Sequence, residues 1–178
     1  MKLLLENWRE FLSEEEALQD IIVTVGQNGE LNIPKSGDFR IDSIVSDILA
    51  TIGPEDLKPK YRKLQKQKKC NKLTGHCFVA TEVFWELTKR LEKDYSYVPC
   101  FIKHEGDSHW FAKDIETGHI VDPTAGQFKE IPDYSLAKCD TKEKASASRY
   151  MMRRKDPYGG TTPTQRTLNV LSRMDDGE

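Results

Sequence analysis

The chain has 178 residues, with 27 Lys and Arg against 29 Asp and Glu, a formal charge of -2 and a hydrophobic fraction of 37 %. That balance fits one soluble globular domain, residues 1–178, and provides no global field to select nucleic acid or a membrane surface as partner. The four cysteines, Cys70, Cys77, Cys100 and Cys139, make no CxxC pair and match neither a familiar zinc module nor a dense disulfide framework, so reduced thiols in a cytoplasmic chain are expected.

The apolar run Leu3 to Leu5 is too short for a secretory signal, and no later segment approaches a membrane span. Leu4, Leu5, Trp8, Phe11 and Leu12 recur at helical spacing and predict an amphipathic N-terminal helix, after which Ser13 and Glu16 have capping-box spacing. Core packing is the plain use of that face, and docking to a partner is the other. IIVTVGQNGELNIP, residues 21–34, predicts a hairpin, and Ile41 to Ile52 a helix that Pro54 ends. Residues 58–69, KPKYRKLQKQKK, hold seven basic side chains and no acidic one, which reads as a solvated helix or loop, or as a contact for an anionic substrate or nucleic acid.

From Cys77, the positions Val79, Val83, Phe84, Leu87 and Leu91 share one face with charges opposite, predicting an amphipathic helix to about Lys93. Three strands follow: YVPCFIKH at 97–104, SHWFAKDI at 108–115 and HIVDPT at 119–124, with turn residues at 106–108 and 116–118. A helix followed by an antiparallel meander is an α+β arrangement. Residues 133–162 read as polar and irregular, broken by the basic run RYMMRRK at 149–155. Thr162 then caps a C-terminal helix with Pro163 at its first position and Leu168, Val170, Leu171 and Met174 on its apolar side.

Within this order Cys77 stands at a helix start, where exposed N–H groups and the helix dipole favour thiolate over thiol. His109 falls on the second strand and Asp122 on the third, thirteen residues apart across a Gly-containing turn, so antiparallel neighbours can set them near paired positions. Nucleophile, base and orienter are the three roles of a catalytic triad. Taken singly, each has a plainer use: a packed cysteine, a structural strand histidine, a turn-forming aspartate.

Gly75-His76-Cys77-Phe78-Val79-Ala80 resembles the glycine, any residue, cysteine, aromatic signature of transglutaminase-like and papain-like thiol enzymes. Ser108-His109-Trp110-Phe111 and Val121-Asp122-Pro123-Thr124 resemble the histidine and aspartate motifs of the transglutaminase core, in the same order. The resemblance covers about residues 71–126 and implies a nucleophile helix packed on an antiparallel sheet, with Cys77 as nucleophile, His109 as base and Asp122 as orienter. Phe78 stands where the family often has tryptophan, and no calcium-site pattern of the large animal enzymes is visible. MKLLLENWREF and DPTAGQF also resemble segments of small proteins of tailed phages.

An acyl transfer through a thiol needs oxyanion donors. The Cys77 N–H is the first candidate, with Asn71, which resembles the papain-like glutamine in position, and Gln127 as side-chain amides. His76 and Trp110 are expected to line the cleft. A zinc site of Cys77, His76, His104 and His109 has no familiar spacing and leaves Asp122 without a role, so neither metal nor cofactor is expected. The expected function is a Cys-His-Asp acyl-transfer enzyme, a hydrolase of an amide, peptide or isopeptide or a transglutaminase-type transferase, acting on a protein or a small amide. The alternative is a non-catalytic phage structural or binding module that retains the fold. Nucleic-acid binding rests only on the basic runs, with Tyr61, Tyr150 and Tyr158 as the aromatics among them.

Overall fold

The computed structural model describes residues 38–91, 96–141 and 163–176 with their side chains, and 21–22, 24–25 and 31–32 as backbone. The expected N-terminal helix, the basic run at 149–155 and the cap at Thr162 lie outside the described residues. Short strands β1 (Ile21–Ile22), β2 (Thr24–Val25) and β3 (Leu31–Asn32) come first. Helices α1 (Phe39–Thr51), α2 (Pro59–Lys66) and α3 (Cys77–Thr88) follow. The chain then forms β4 (Tyr97–His104), β5 (Asp107–Asp114), β6 (Ile120–Val121), β7 (Lys138–Cys139) and α4 (Gln165–Asp175).

Local chemistry accounts for most of the boundaries. Asp38 caps α1 by accepting from the Arg40 N–H at 3.1 Å, and Ile41, Val45 and Ile48 bury its inner stripe. Pro59 opens α2, which buries no residue at all, so the basic segment is a helix with its lysines largely in solvent. The α3 helix is enclosed on nearly every side. Its charges are therefore not all opposite the apolar face, since Glu82 is completely buried. It also stops at Thr88 rather than Lys93, the Thr88 hydroxyl bonding back to the Trp85 carbonyl at 3.0 Å.

The expected α+β arrangement is present, with a sheet ordered β1-β6-β5-β4-β7. β1 runs parallel to β6 and every other pairing in that sheet is antiparallel, while β2 and β3 form a separate hairpin. The β4–β5 turn is Glu105-Gly106, both at positive φ, so β5 begins at Asp107, one residue earlier than its β-propensity suggests. By alternation, Val98, Cys100, Ile102, His109 and Phe111 share one face of the sheet. Ala112 and Val121 take the other, in a cluster with α1, α3 and α4 that includes Phe84 and Val170. Burying a side chain the size of Phe84 is worth about 1.5–3 kcal/mol, so this cluster holds the helices on the sheet.

Three expectations are corrected. The stretch from residue 133 contains a short 3-10 turn, Tyr134–Leu136, and then β7, which pairs Cys139 with Cys100 across the sheet and joins them in a disulfide. The four thiols are thus not all reduced, because strand pairing brings together cysteines that linear spacing keeps apart. At the C-terminal helix the cap is Thr164, not Thr162. Buried Glu82 accepts from the Thr164 N–H at 3.2 Å, the Thr164 hydroxyl at 2.8 Å and the Thr167 hydroxyl at 2.6 Å, so a carboxylate from another helix starts α4. No helix among the described residues is long and apolar enough to cross a membrane.

Candidate active site

Cys77 is the first residue of α3, reached through a tight turn in which the His76 N–H donates to the Leu73 carbonyl at 3.1 Å. Gly75 sits at φ +88, and a Cβ there would lie 2.5 Å from the Tyr61 ring, so both backbone conformation and close approach demand glycine. The side chain of Cys77 is 8 % exposed, and its thiol donates to the Ser108 carbonyl at 3.8 Å. The first-turn N–H groups, that of Cys77 among them, have no carbonyl four residues back to accept them.

His109 is fully buried on β5 and its Nε2 lies 2.5 Å from Asp122 Oδ2. Ala112 pairs with Val121, so Asp122 falls opposite Phe111, and His109 reaches it diagonally from two residues along the same face. The two are therefore neighbours without being directly paired. Asp122 is saturated with donors: the Tyr134 hydroxyl at 2.8 Å shares Oδ2, while the Thr124 N–H at 3.1 Å and hydroxyl at 3.3 Å serve Oδ1. Phe128 packs edge-on to the His109 ring with centroids 4.7 Å apart.

Burial pushes the His109 imidazole down, but the Asp122 carboxylate, by charge and hydrogen bond, and the Cys77 sulfur, by hydrogen bond and charge, together hold it up at about 10. The ring is thus favoured in its charged form, with Nε2–H given to Asp122 and the Cys77 sulfur near enough to add to that effect. Burial and then Asp122 raise the Tyr134 phenol far above its ordinary value, keeping it a neutral donor.

Gln127 completes this arrangement without meeting the cavity at Cys77. Its amide nitrogen lies 3.3 Å from His109 Nδ1, yet its two hydrogens are matched by the Thr124 carbonyl at 3.0 Å and hydroxyl at 3.1 Å. Its oxygen accepts from the Gly75 N–H at 3.4 Å, linking the turn before the cysteine to the loop after the aspartate. Asn71 does similar work: its amide nitrogen donates to the Gly126 carbonyl at 3.0 Å and its oxygen accepts from the Leu73 N–H at 2.9 Å. Gln127 is thus fully occupied, and Asn71 commits its oxygen and one of its two amide hydrogens, as ties between two loops.

His76 points elsewhere. It is buried, its Nδ1 has no hydrogen-bond partner, and burial holds it down at about 4, with Asp56, Arg166 and Glu55 as its charged neighbours. Trp110 does line the cleft, meeting Phe78 edge-on at 5.9 Å. His104 contacts the Glu130 carbonyl at 3.1 Å, and no group of three His, Cys, Asp or Glu is placed to hold a metal ion among the described residues.

A cavity of about 200 Å³ opens beside Cys77, walled by Tyr61, Phe78 and Trp110 with the charged side chains Lys58, Asp107 and Arg166. Tyr134 and Arg166 are the site residues that sequence reasoning missed, whereas Lys58 opens the basic stretch that it read as a solvated face or an anion contact. Tyr134 and Arg166 reach the site from chain-distant segments and carry no local signal, whereas Thr124, two residues after Asp122, has the spacing of an Asx turn. Compared with known proteins, the chain matches no family model, no curated protein and no solved structure.

Proposed function

We propose that the protein is a cysteine-dependent acyl-transfer enzyme, built as a papain-like or transglutaminase-like core, that cleaves an amide, peptide or isopeptide bond. The observation that carries the proposal is His109 bonded to Asp122 Oδ2 at 2.5 Å and near enough to the Cys77 sulfur for that sulfur to favour its charged form. Cys77 on the first turn of a helix laid against an antiparallel sheet supports the same reading, as does the likeness of its three motifs to those thiol enzymes.

In this mechanism the Cys77 thiolate attacks the carbonyl carbon, forming a C–S bond while the carbonyl electron pair moves to oxygen. The first-turn N–H groups of α3 stabilise that oxyanion. As the C–N bond breaks, His109 Nδ1 delivers its proton to the departing amine, leaving a thioacyl enzyme and a neutral imidazole. Water then attacks with His109 taking its proton, and the acid is released as Cys77 is restored. An amine in place of water yields transfer through the same steps, with water as the default acceptor.

The test is alkylation of Cys77 by iodoacetamide at neutral pH, read by mass spectrometry of the Cys77 peptide, in wild type and in His109→Ala. The proposal expects the variant to react at least about tenfold more slowly, because the imidazolium that pairs the thiolate is gone. Slow labelling at equal rates in both proteins would point instead to a binding or structural module that keeps the fold without turnover.

A further inference from the structure

The cavity at Cys77 carries an excess of positive charge assembled from separate elements. Lys58 precedes α2, Arg166 stands in the first turn of α4, and Asp107 begins β5. The single carboxylate is partly matched from outside, since Asp107 lies 3.9 Å from the Lys60 ammonium, which does not line the cavity. Lys58 is exposed and Arg166 is half-buried.

Arg166 is the more informative of the two. It has five N–H donors, and one goes to the Asp56 carbonyl at 3.0 Å. Glu82 and Asp56 lie near enough to favour its charge, yet each also holds other groups. Asp56 is held by Arg173 at 2.5 Å and the Gly53 N–H at 2.9 Å, and Glu82 receives Thr164 and Thr167. Among the described residues Arg166 forms no ion pair of its own. Its guanidinium sits 5.8 Å from the centre of the Phe78 ring, and the Glu82 cap fixes the helix turn that carries it. A half-buried guanidinium with donors free toward a cavity is built to receive a planar oxyanion, and the planar fork matches a carboxylate with two hydrogen bonds.

We propose that this cavity is a carboxylate subsite, so that the acyl compound attacked by Cys77 carries a carboxylate held by Arg166, with Lys58 as the second cation. The inference rests on the reading of Cys77 as a nucleophile. The aromatic walls of Tyr61, Phe78 and Trp110 accept the short apolar stem between that carboxylate and the reacting carbonyl.

Iodoacetate and iodoacetamide differ only by a carboxylate against a neutral amide, and both report on Cys77 without requiring turnover. The measured quantity is the ratio of their second-order rate constants at Cys77, set against the same ratio for the neutral thiol N-acetylcysteine amide. At low salt the Cys77 ratio is expected to exceed that baseline by about tenfold or more and to fall as sodium chloride is raised. Arg166→Gln and Lys58→Gln each lower it, and together they lower it by at least about fivefold. Lys58 is an exposed side chain, so its variant and the wild-type salt series carry the test if Arg166→Gln fails to fold. A ratio at the baseline overturns the subsite. A raised ratio that neither variant moves also overturns it, because the field then comes from His109 alone. Failure of the nucleophile reading looks different: iodoacetamide labelling becomes indifferent to His109→Ala whatever the ratio does.

Discussion

Replacing Asp122 with Asn keeps the shape of the side chain and removes its charge. In the native protein burial pushes His109 down while Asp122 and then the Cys77 sulfur raise it from 6.5 to about 10. That rise corresponds to about 5 kcal/mol in favour of the imidazolium. Without the carboxylate the burial effect prevails, and His109 is expected to titrate several units lower than in wild type. A second effect comes from geometry: Asp122 accepts from His109, from Tyr134 and twice from Thr124, and an amide can accept on only one of its two sides. One buried donor is left facing another, at about 1–3 kcal/mol. Because the folded pKa of His109 is raised, its contribution to stability is complete below 6.5 and drains away as pH rises toward 10. The gap in unfolding free energy between wild type and Asp122→Asn should therefore narrow as pH rises from 6.5 toward 10. Carbon-13 labelling of histidine, with His109 assigned by its own substitution, follows the titration by NMR, and urea unfolding at a series of pH values measures the gap. If His109 titrates within a unit of its native value in the variant, or the gap stays constant with pH, the account of the dyad is wrong.

Gly75→Ala forces a side chain into a left-handed position 2.5 Å from the Tyr61 ring, so it should cost at least about 1–2 kcal/mol and lower the melting temperature by several degrees. An unchanged melt would mean that the turn before Cys77 repacks freely. His76 is held down at about 4 chiefly by burial, so folding loses up to about 3 kcal/mol as pH falls from 6.5 through 4. His76→Phe should flatten that acid limb, and chemical unfolding at pH 7 and pH 4.5 compares the two slopes. Thiol titration of the denatured, unreduced protein should count two groups, Cys70 and Cys77, and four after reduction; four at the outset would remove the bridge between β4 and β7.

Much of the candidate site is legible in the chain because its three residues sit where local chemistry declares itself. Cys77 opens a helix after a glycine turn, and His109 and Asp122 flank a loop that the Asp114 side chain closes by accepting from the Glu116 and Thr117 N–H groups. The register between them is less legible, since a diagonal contact and a direct pair have the same alternation and differ only by a slide of the strand. What surrounds the dyad is not local at all. Tyr134 meets Asp122 because β7 folds back onto β4, and Arg166 reaches the cavity because Glu82 dictates where α4 begins. The α3 helix misleads for the same reason: a buried glutamate reads as a solvated face until the threonines that it binds are brought to it from the far end of the chain.

The bridge between Cys100 and Cys139 closes a ring that spans 39 residues of sequence. His109, Asp122, Thr124, Gln127 and Tyr134 all lie inside it, and Cys77 lies outside. A loop of that length restricts the unfolded chain by about 4 kcal/mol in the chain-entropy account. The histidine and aspartate therefore remain tethered as a pair even in the unfolded protein, and a protease that nicks any loop between them leaves both on one covalent unit. A cut between α3 and β4 has the opposite effect: it severs the cysteine from its partners, so the site is divided between a closed module and a helix joined to it by one stretch of chain.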